Sequence, residues 1–414
     1  MNCFATKFVC YRLAAGVMIM QLTALCCAGT IFVDPNGSDD DPGSSSRPVS
    51  TITKAVDLAS ENDVIFIREG QYDLNNTLKI YNKKNIILRA SKDESPRLVF
   101  KGAKTYGILI GVNSSGITID GLDIAWSSAS NGNIIGIGGK DVVIKNNHIY
   151  FSKSSLASKY DGIKILDMAE NILIEDNEIS GAPQQCIDSV GGTRITVRRN
   201  LLYRCSNAVV LKGGASHNVI ESNNIFDMKY GAIGVGGFTS AKFITKDYEN
   251  LDTTVRDNFI SYTIDRNIGG GIFLRGAVSG KVYNNTIIGA GIHVKSGGSP
   301  KHPEFNSRNN RISDNIILST GDDGIVVIDE KNGAGLTLEN NCYWRGKGSG
   351  EFKVNGVWYG YLDFKTKFKF DVNSVFGDPQ YERNFALPGN SPCSAMGIKT
   401  LREGRLKLPV YERS

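Results

Sequence analysis

One short phrase recurs along the chain: an aliphatic residue, two variable positions, Asn, any residue, and then another aliphatic or aromatic residue. An early copy, Ile119 to Ile124, has Leu122 in place of the Asn. Eight later copies carry it, about 28 residues apart. The eight are Asn147, Asn177, Asn200, Asn223, Asn258, Asn285, Asn315 and Asn341. A fixed period of this size predicts a solenoid with one turn per repeat.

Between the Asn phrases lie short alternating segments that begin with a small residue, such as residues 162–165, 271–274 and 291–294. Alternation with β-branched residues is typical of strands, and no helical period competes with it here. Several strands per repeat with no room for a helix predict an all-β fold, a single right-handed parallel β-helix. The repeated Asn side chains are expected to stack one turn apart, which gives them a structural role.

The two ends of the chain differ from the middle. Residues 50–59 predict a short amphipathic helix with a Ser or Thr cap, followed by a strand at 64–67. Such a helix would cover the open N-terminal edge of the solenoid. We therefore expect four segments. They are a signal peptide at 1–28, an N-terminal cap with the first turns at 29–110, the repeats at 111–345, and a C-terminal cap or tail at 346–414.

The first residues indicate export. Lys7 and Arg12 precede an apolar run at 13–27, and no acidic residue occurs before Asp34. This is the layout of a secretory signal peptide, with cleavage expected after Ala28, and the run is shorter than the roughly 20 apolar residues that span a bilayer. The sequence predicts a secreted or periplasmic protein, with a lipid anchor at one of the adjacent cysteines as the weaker alternative.

Four cysteines follow the predicted cleavage site: Cys186, Cys205, Cys342 and Cys393. Export permits disulfides. Cys342 and Cys393 are placed to close the C-terminal segment, but spacing leaves the connectivity open.

The N-terminal segments 31–39 and 64–72 resemble the signature of secreted pectate-lyase-like β-helix proteins, and 378–381 with 386–392 is similar to their usual ending. The resemblance implies a carbohydrate-active β-helix, expected as a monomer. It is shared by lyases, hydrolases, epimerases and non-enzymes, so it names a fold more firmly than a reaction.

Aligning the turns on their Gly-aliphatic strands predicts two outward-facing columns on one sheet. The first is Lys164, Asp188, Val210, Gly234, Phe273, His293 and Val326. The second is Leu166, Val190, Lys212, Gly236, Arg275, Lys295 and Ile328. With turns about 4.8 Å apart, the second column contains a basic stripe beside acidic Asp161 and Asp188. Such a stripe suits an acidic, uronate-containing polysaccharide.

Two further features favour a binding groove beside this stripe. Glycines at 213, 214, 234, 236 and 237 are expected to leave room for a ligand. An insertion at 238–252 interrupts the next turn, and such loops often build sites on solenoids.

Cleavage of a polyuronate by β-elimination needs a base for the C5 proton and a cation beside the substrate carboxylate. We expect Lys212 and Arg275 to be the catalytic residues, with Lys212 as base or charge neutraliser. Lys164, Phe273, His293 and Lys295 are the expected substrate-binding residues.

Residues 160–163 and 184–188 lie where family-nine pectate lyases carry calcium ligands. The resemblance implies a Ca²⁺ site at Asp161, Asp188 and Gln185, weakened because Gln184 and Gln185 replace carboxylates. Residues 209–214 are similar to that family's Phe-Lys-Leu-Gly-Gly segment, although its Lys aligns with Val210.

Residues 211–214 resemble the Leu-Arg-His-Gly of family-six alginate and chondroitin lyases, which implies that Lys212 replaces a catalytic Arg. Gly191 falls where those enzymes have a Lys base. Each lyase family loses an essential group in this sequence, which leaves three alternatives: a divergent lyase, a C5-epimerase, and a binding module without catalysis.

A glycoside hydrolase is ranked lower. Asp322 and Asp323 resemble the acidic pair of polygalacturonases, but the companion motifs are absent. Nucleic acid is not an expected partner, because the net charge is only +5 and the basic stripe lacks interleaved aromatics apart from Phe273. The sequence predicts a secreted polysaccharide lyase that acts on an acidic polysaccharide.

Overall fold

The computed structural model describes residues 28–152, 160–244, 246–262, 270–297, 305–319, 324–345, 351–371, 373–381 and 387–394. The predicted signal peptide apart from Ala28, and the Asp322–Asp323 pair, lie outside these residues.

Three long sheets run side by side along the chain and form a solenoid. The first sheet contains Thr30–Val33, Val64–Ile67, Ile87–Ala90, Thr118–Asp120, Lys140–Lys145, Glu170–Glu175, Thr193–Arg198, Val219–Glu221, Thr254–Arg256, Lys281–Tyr283, Arg311–Ser313 and Thr337–Glu339, with the short strands Ala215–Ser216, Asn250–Leu251 and Ala277–Val278. The second sheet contains Leu78–Ile80, Tyr106–Ile110, Asn133–Ile137, Ile163–Ile165, Gln185–Val190, Asn207–Lys212, Ile233–Gly236, Ile272–Arg275, Ile292–Lys295, Val326–Ile328, Phe352–Val354 and Val357–Tyr359. The third sheet contains Gln71–Leu74, Arg97–Phe100, Asp123–Trp126, His148–Phe151, Glu178–Ser180, Leu201–Tyr203, Asn224–Phe226, Phe259–Ser261, Thr286–Ile288, Ile316–Ser319, Cys342–Arg345 and Val375–Phe376.

Each turn contributes one strand to each sheet, and neighbouring turns pair in parallel; for example, Ile163 lies opposite Ile187 and Ile174 opposite Val197. The final pair of the second sheet, Phe352–Val354 with Val357–Tyr359, is antiparallel. The inward side chains, mostly Ile, Val and Leu, form one continuous buried core. The all-β parallel solenoid predicted from the repeat is confirmed.

The predicted capping helix is also confirmed, as Ile52–Leu58. The Thr51 side chain accepts a hydrogen bond from the Lys54 backbone N–H, which caps the first turn of the helix. The helix buries Ile52, Ala55 and Val56 and contacts the first strands of the first and second sheets. It therefore covers the N-terminal end of the core.

The repeated Asn residues form a ladder inside the solenoid. In each step the side-chain amide and the backbone N–H of one Asn both donate to the carboxamide oxygen of the next, as from Asn200 to Asn223 at 3.0 Å. The ladder starts where Leu122 N–H donates to Asn147 and ends where Asn341 N–H donates to Ser374. All eight side chains are buried, so the structural role expected for them is confirmed.

The residue before each ladder Asn has a positive φ, from 53° to 57°. The eight are Asn146, Asp176, Arg199, Ser222, Asp257, Asn284, Asp314 and Asn340. This left-handed conformation turns the chain from the first sheet into the third, and Asn or Asp adopts it at the lowest cost among residues with a side chain. Six of the eight are Asn or Asp, the residue types that adopt this conformation most readily.

An aromatic cluster packs at the C-terminal end. The ring of Phe352 stacks on Phe364, whose centroid is 4.4 Å away in the helix Tyr361–Phe368. The Tyr343 hydroxyl donates to the buried carboxyl of Asp371 at 3.0 Å.

Two disulfides join the four described cysteines, Cys186 to Cys205 and Cys342 to Cys393. The second links a strand of the third sheet to the C-terminal segment. Neither α-helix in the described residues has the length and apolarity needed to cross a lipid bilayer.

Candidate functional site on the second sheet

The outward columns predicted on the second sheet follow the observed register. Lys164 lies opposite Asp188, then Val210, Gly234, Phe273 and His293 in successive turns. In the neighbouring column, Val190 lies opposite Lys212, and Gly236 lies opposite Arg275, which lies opposite Lys295.

The alignment fails at the last turn. Val326 lies opposite Ile292, an inward residue, and Val327 lies opposite His293. The prediction that Val326 and Ile328 face outward is wrong by one residue. The cause is that Gly324 and Ile325 enter the turn one residue earlier than the Gly291–Ile292 pair used to align them. A one-residue shift in a strand exchanges its two faces.

Four charged side chains meet in the middle of this face. We call Asp161, Lys164, Asp188 and Lys212 the charge cluster. Asp188 contacts both lysines: Nζ of Lys164 pairs with its Oδ2, and Nζ of Lys212 lies 3.3 Å from its Oδ1. Nζ of Lys164 also lies 3.4 Å from Oδ2 of Asp161. The carboxylates are almost fully buried, whereas the side chains of Lys164 and Lys212 are 22% and 19% exposed.

Burial sets the proton affinities in the charge cluster. It raises the pKa of Asp161 to about 7, and the negative charge of Asp188 acts in the same direction, while Lys164 and the Gln185 backbone N–H oppose it. Burial alone would lower the pKa of Lys164, but the carboxylates of Asp188 and Asp161 more than reverse this, so its pKa is raised. Near neutral pH, Lys164 is therefore an ammonium and Asp161 is partly protonated.

Arg275, two turns from Lys212, contacts two aromatic rings. Its guanidinium carbon is 4.7 Å from the centroid of Phe238 and 5.8 Å from that of Phe273. Burial lowers the pKa of Arg275, and Asp329 opposes this. Phe238, at the start of the insertion, is 58% exposed, so it adds an aromatic surface that the sequence analysis did not single out.

His293 and Lys295 belong to the same face but differ in their exposure to solvent. His293 is almost fully buried, with its ring close to Gly270, and Lys295 is partly exposed. Their part in substrate binding stays a prediction.

The sequence analysis expected the glycines beside Lys212 to leave room for a ligand. In the structure, the space beside them is occupied. A Cβ on Gly234 would lie 2.4 Å from the Phe273 ring, and one on Gly236 would lie 1.9 Å from the Arg275 backbone oxygen. A Cβ on Gly214 would lie 2.9 Å from the Lys246 side chain. The space beside these three glycines is therefore occupied by the protein itself: by the Phe273 ring, by the backbone at Arg275 and by the Lys246 side chain.

Glu249 anchors the insertion to the second sheet. Its buried carboxylate accepts hydrogen bonds from the Gly213 N–H at 2.8 Å, and from the Thr239 N–H and hydroxyl at 2.9 and 2.6 Å. Gly213 directly follows Lys212, so Glu249 fixes the backbone beside that lysine. The sequence analysis missed it because an acidic residue in an insertion carries no periodic signal.

The residues expected to hold Ca²⁺ do not fit that ion in this arrangement. Ca²⁺ takes six to eight oxygen ligands, but the carboxylates of Asp161 and Asp188 face the ammonium groups of two lysines. Gln185 contacts Asp161 through its backbone N–H, which donates to Oδ1 at 3.0 Å. No group of three or more His, Cys, Asp or Glu suited to a metal occurs in the described part of the chain. Calcium binding stays a prediction from the resemblance.

Two family models match this chain. Residues 31–175 match a model described as "Pel9A-like, right handed beta helix region", and residues 244–367 match "Right handed beta helix region". With three parallel sheets, these matches decide the fold. The chain is a right-handed parallel β-helix protein.

One curated protein and several solved structures are similar to this chain at low identity. The uncharacterized protein YwoF of Bacillus subtilis (strain 168) is 24% identical, over 88% of this chain and 92% of that one. The structure of XylC with xylose superimposes with a TM-score of 0.57 at 11% identity, covering 85% of this β-helix protein and 87% of that chain. A glycoside hydrolase superimposes with a TM-score of 0.51 at 9% identity, covering 86% and 98%. At such identities the structural likeness shows the fold alone.

Proposed function

We propose that this β-helix protein is exported and acts on an acidic, uronate-containing polysaccharide at the charge cluster, as a lyase that cleaves by β-elimination. The observation that carries the proposal is that Lys164 and Lys212 converge on one buried carboxylate on the outer face of the second sheet, with Arg275 and Lys295 two and three turns further on.

Charge supports an acidic substrate. Lys164, Lys212, Arg275 and Lys295 lie along this face, and burial raises the pKa of Asp161 to about 7, which removes part of its negative charge at neutral pH. A polyuronate lying along the sheet would meet cations on both sides of Asp188. The stacked Phe238 and Arg275 offer a flat surface for a sugar ring and a cation for its carboxylate.

In the proposed β-elimination, each basic side chain has a distinct role. The substrate carboxylate binds Arg275 or Lys295, which makes the neighbouring C5 proton more acidic. The Lys212 amine takes that proton, the C5–H electron pair forms the C4–C5 double bond, and the oxygen at C4 leaves with its electron pair and takes a proton from water.

Before it can act as a base, the Lys212 ammonium must lose a proton. Oδ1 of Asp188 is the acceptor in reach, since it lies 3.3 Å away and accepts no hydrogen bond within the described residues. This chain of proton transfers makes Asp188 part of the proposed machinery.

A glycoside hydrolase is the second candidate, on the strength of one observation. Asp161, whose pKa is raised to about 7, and Asp188 contact the same Lys164 ammonium. Two neighbouring carboxyl groups, one of them with a raised pKa, are the pairing that glycoside hydrolysis uses.

The product distinguishes the candidates. Purified protein is incubated with pectate, alginate, chondroitin sulfate and rhamnogalacturonan, with and without Ca²⁺. A lyase produces an ultraviolet-absorbing unsaturated uronate, a hydrolase produces reducing ends without it, a C5-epimerase changes the uronate composition without cleavage, and a binding protein retains the polymer unchanged.

Lys212→Ala is expected to lower the elimination rate about 100-fold or more, whereas Lys140→Ala on the first sheet is expected to leave it unchanged. Full activity in Lys212→Ala would show that this lysine is not the base. A failure of every polymer to bind or react would overturn the proposed function.

A further inference from the structure

A second, uncharged site adjoins the charge cluster on the same side of the solenoid. A cavity of about 310 Å³ is lined by Tyr81, Asn82, Leu109, Ile110, Gly111, Val112, Asn113, Gly138 and Leu166. We call it the apolar pocket.

The apolar pocket begins in the same turn as the charge cluster. Leu166 comes two residues after Lys164, and its backbone N–H continues the ladder of the second sheet by donating to Ile137. From there the pocket extends across the turns of Gly138 and Ile110 to that of Tyr81. At about 4.8 Å per turn, a polysaccharide bound along the second sheet would pass from the charge cluster to the apolar pocket within a few sugar residues.

Two glycines shape the pocket. A Cβ on Gly111 would lie 2.6 Å from the Tyr81 ring, and one on Gly138 would lie 3.1 Å from Cγ1 of Val112. The absence of these side chains lets Tyr81 and Val112 form walls, yet the two residues remain 44% and 57% exposed. Large apolar side chains left that open next to a charged surface are typical of a binding site.

The lining defines the chemistry of the occupant. The walls are aliphatic and aromatic, and the polar side chains are the neutral amides of Asn82 and Asn113. Neither amide side chain has a hydrogen-bond partner among the described residues, so each can donate to a carbonyl oxygen. No charged side chain lines the pocket, which makes it a poor place for a uronate carboxylate.

We infer that the apolar pocket binds an O-acetyl group, together with the edge of the sugar that carries it, on the acidic polysaccharide. An acetyl group supplies a methyl for the walls and a carbonyl oxygen for the amides. This inference rests on the proposed function, because it takes the polymer at the charge cluster to continue into the pocket.

The test compares one polymer in two forms. Polygalacturonate is chemically O-acetylated, and half of the product is saponified back to the parent, so that the pair differs only in acetylation. Wild-type protein is expected to bind the acetylated polymer about fourfold more tightly or better, the factor given by burying one methyl group. Binding of both forms with the same measurable affinity overturns the inference but leaves the proposed function standing.

A pocket-filling variant locates the effect. Val112→Trp places a large ring in the pocket from an exposed position, so the fold is expected to tolerate it. This variant should lose the preference for the acetylated polymer and keep its affinity for the parent. Val357→Trp is the matched control, because Val357 is 54% exposed and lies at the C-terminal hairpin. If Val112→Trp keeps the preference, the acetyl group binds elsewhere.

Binding of a small acetylated sugar tests the apolar pocket without the polymer. Saturation-transfer NMR with methyl 3-O-acetyl-galactopyranoside should give an acetyl-methyl signal that Val112→Trp removes and Val357→Trp keeps. Absence of that signal in the wild type contradicts the inference. A signal with no binding of either polymer would retain acetyl recognition and would exclude polygalacturonate as the acidic substrate.

Discussion

Nζ of Lys212 lies 3.3 Å from Oδ1 of Asp188, and the opposite oxygen of the same carboxylate pairs with Lys164. One buried carboxylate thus holds two ammonium groups from different turns. The relationship ties the turns together and sets the charge at the proposed site.

Asp188→Asn should destabilise the protein by about 2 kcal/mol. Removing one partner of a buried ion pair leaves the other charge uncompensated, at a cost of about 3–5 kcal/mol when both are buried, and the partial exposure of the two lysines reduces it. Urea unfolding of the two proteins measures the difference. Asp73→Asn is the control, because Asp73 and its partner Lys101 are about half exposed, and it should cost less than about 1 kcal/mol. Equal losses in the two variants would mean that Asp188 acts as an ordinary surface charge.

Asn223→Ala should cost roughly 2–4 kcal/mol, because it removes three hydrogen bonds donated by the side chain and leaves the donors of Asn200 without their acceptor. The exposed Asn76 supplies the comparison, since Asn76→Ala should change the free energy of unfolding by less than about 0.5 kcal/mol. A small effect at Asn223 would show that water replaces the ladder.

Ser222→Asn should stabilise the protein by about 0.5–1 kcal/mol. Ser222 has a φ of 56° and occupies a position that most turns give to Asn or Asp. Ser222→Ala keeps the same backbone cost and should bring no gain. Thermal unfolding of both variants checks this. Equal melting temperatures would mean that the free-energy cost of the positive φ does not depend on which residue occupies position 222.

The free energy of unfolding should fall as the pH rises from about 4 to about 7. Burial raises the pKa of Asp371 to about 6, against hydrogen bonds from Ser374 and Tyr343, and that of Asp161 to about 7. Between the ordinary aspartate pKa of about 3.8 and these values, the folded state keeps protons that the unfolded state releases, so folding weakens as pH rises.

Melting temperatures at several pH values test this expectation. Asp371→Asn should reduce the change in the free energy of unfolding between pH 4 and pH 7 by roughly 3 kcal/mol. A protein that becomes more stable from pH 4 to pH 7, with Asp371→Asn following the same curve, would contradict it.

Arg275→Lys should weaken binding of an acidic polysaccharide about tenfold. The planar guanidinium lies over the rings of Phe238 and Phe273, and an ammonium cannot stack on either ring in the same way. Affinity electrophoresis measures the change, with Arg311→Lys on the first sheet as the control. Unchanged affinity would remove Arg275 from the binding surface.

The sequence predicted the fold well because the signals were periodic. The Asn phrase marks the ladder, and the alternating strands set the register that places Lys164 opposite Asp188. The same reasoning brought Arg275 and Lys295 together. It failed one turn later, because the Gly324–Ile325 pair used for the alignment enters its turn one residue earlier than Gly291–Ile292.

Side-chain contacts were less accessible from the sequence. The pairing of Lys212 with Asp188 depends on rotamers of two long side chains, and periodicity says nothing about those. Phe273 covers Gly234 because the glycine belongs to the preceding turn, a relation visible only once the register is known. Glu249 lies in an insertion, so no repeat could align it.

The Asn ladder also has a consequence for how the protein comes apart. Each carboxamide from Asn177 to Asn315 is hydrogen-bonded to the one before it and the one after it. Opening any turn therefore leaves buried polar groups of both neighbouring turns without their hydrogen-bond partners. The turns should therefore unfold together as a single cooperative unit instead of peeling away one at a time, and proteases should find few partially open forms to cut.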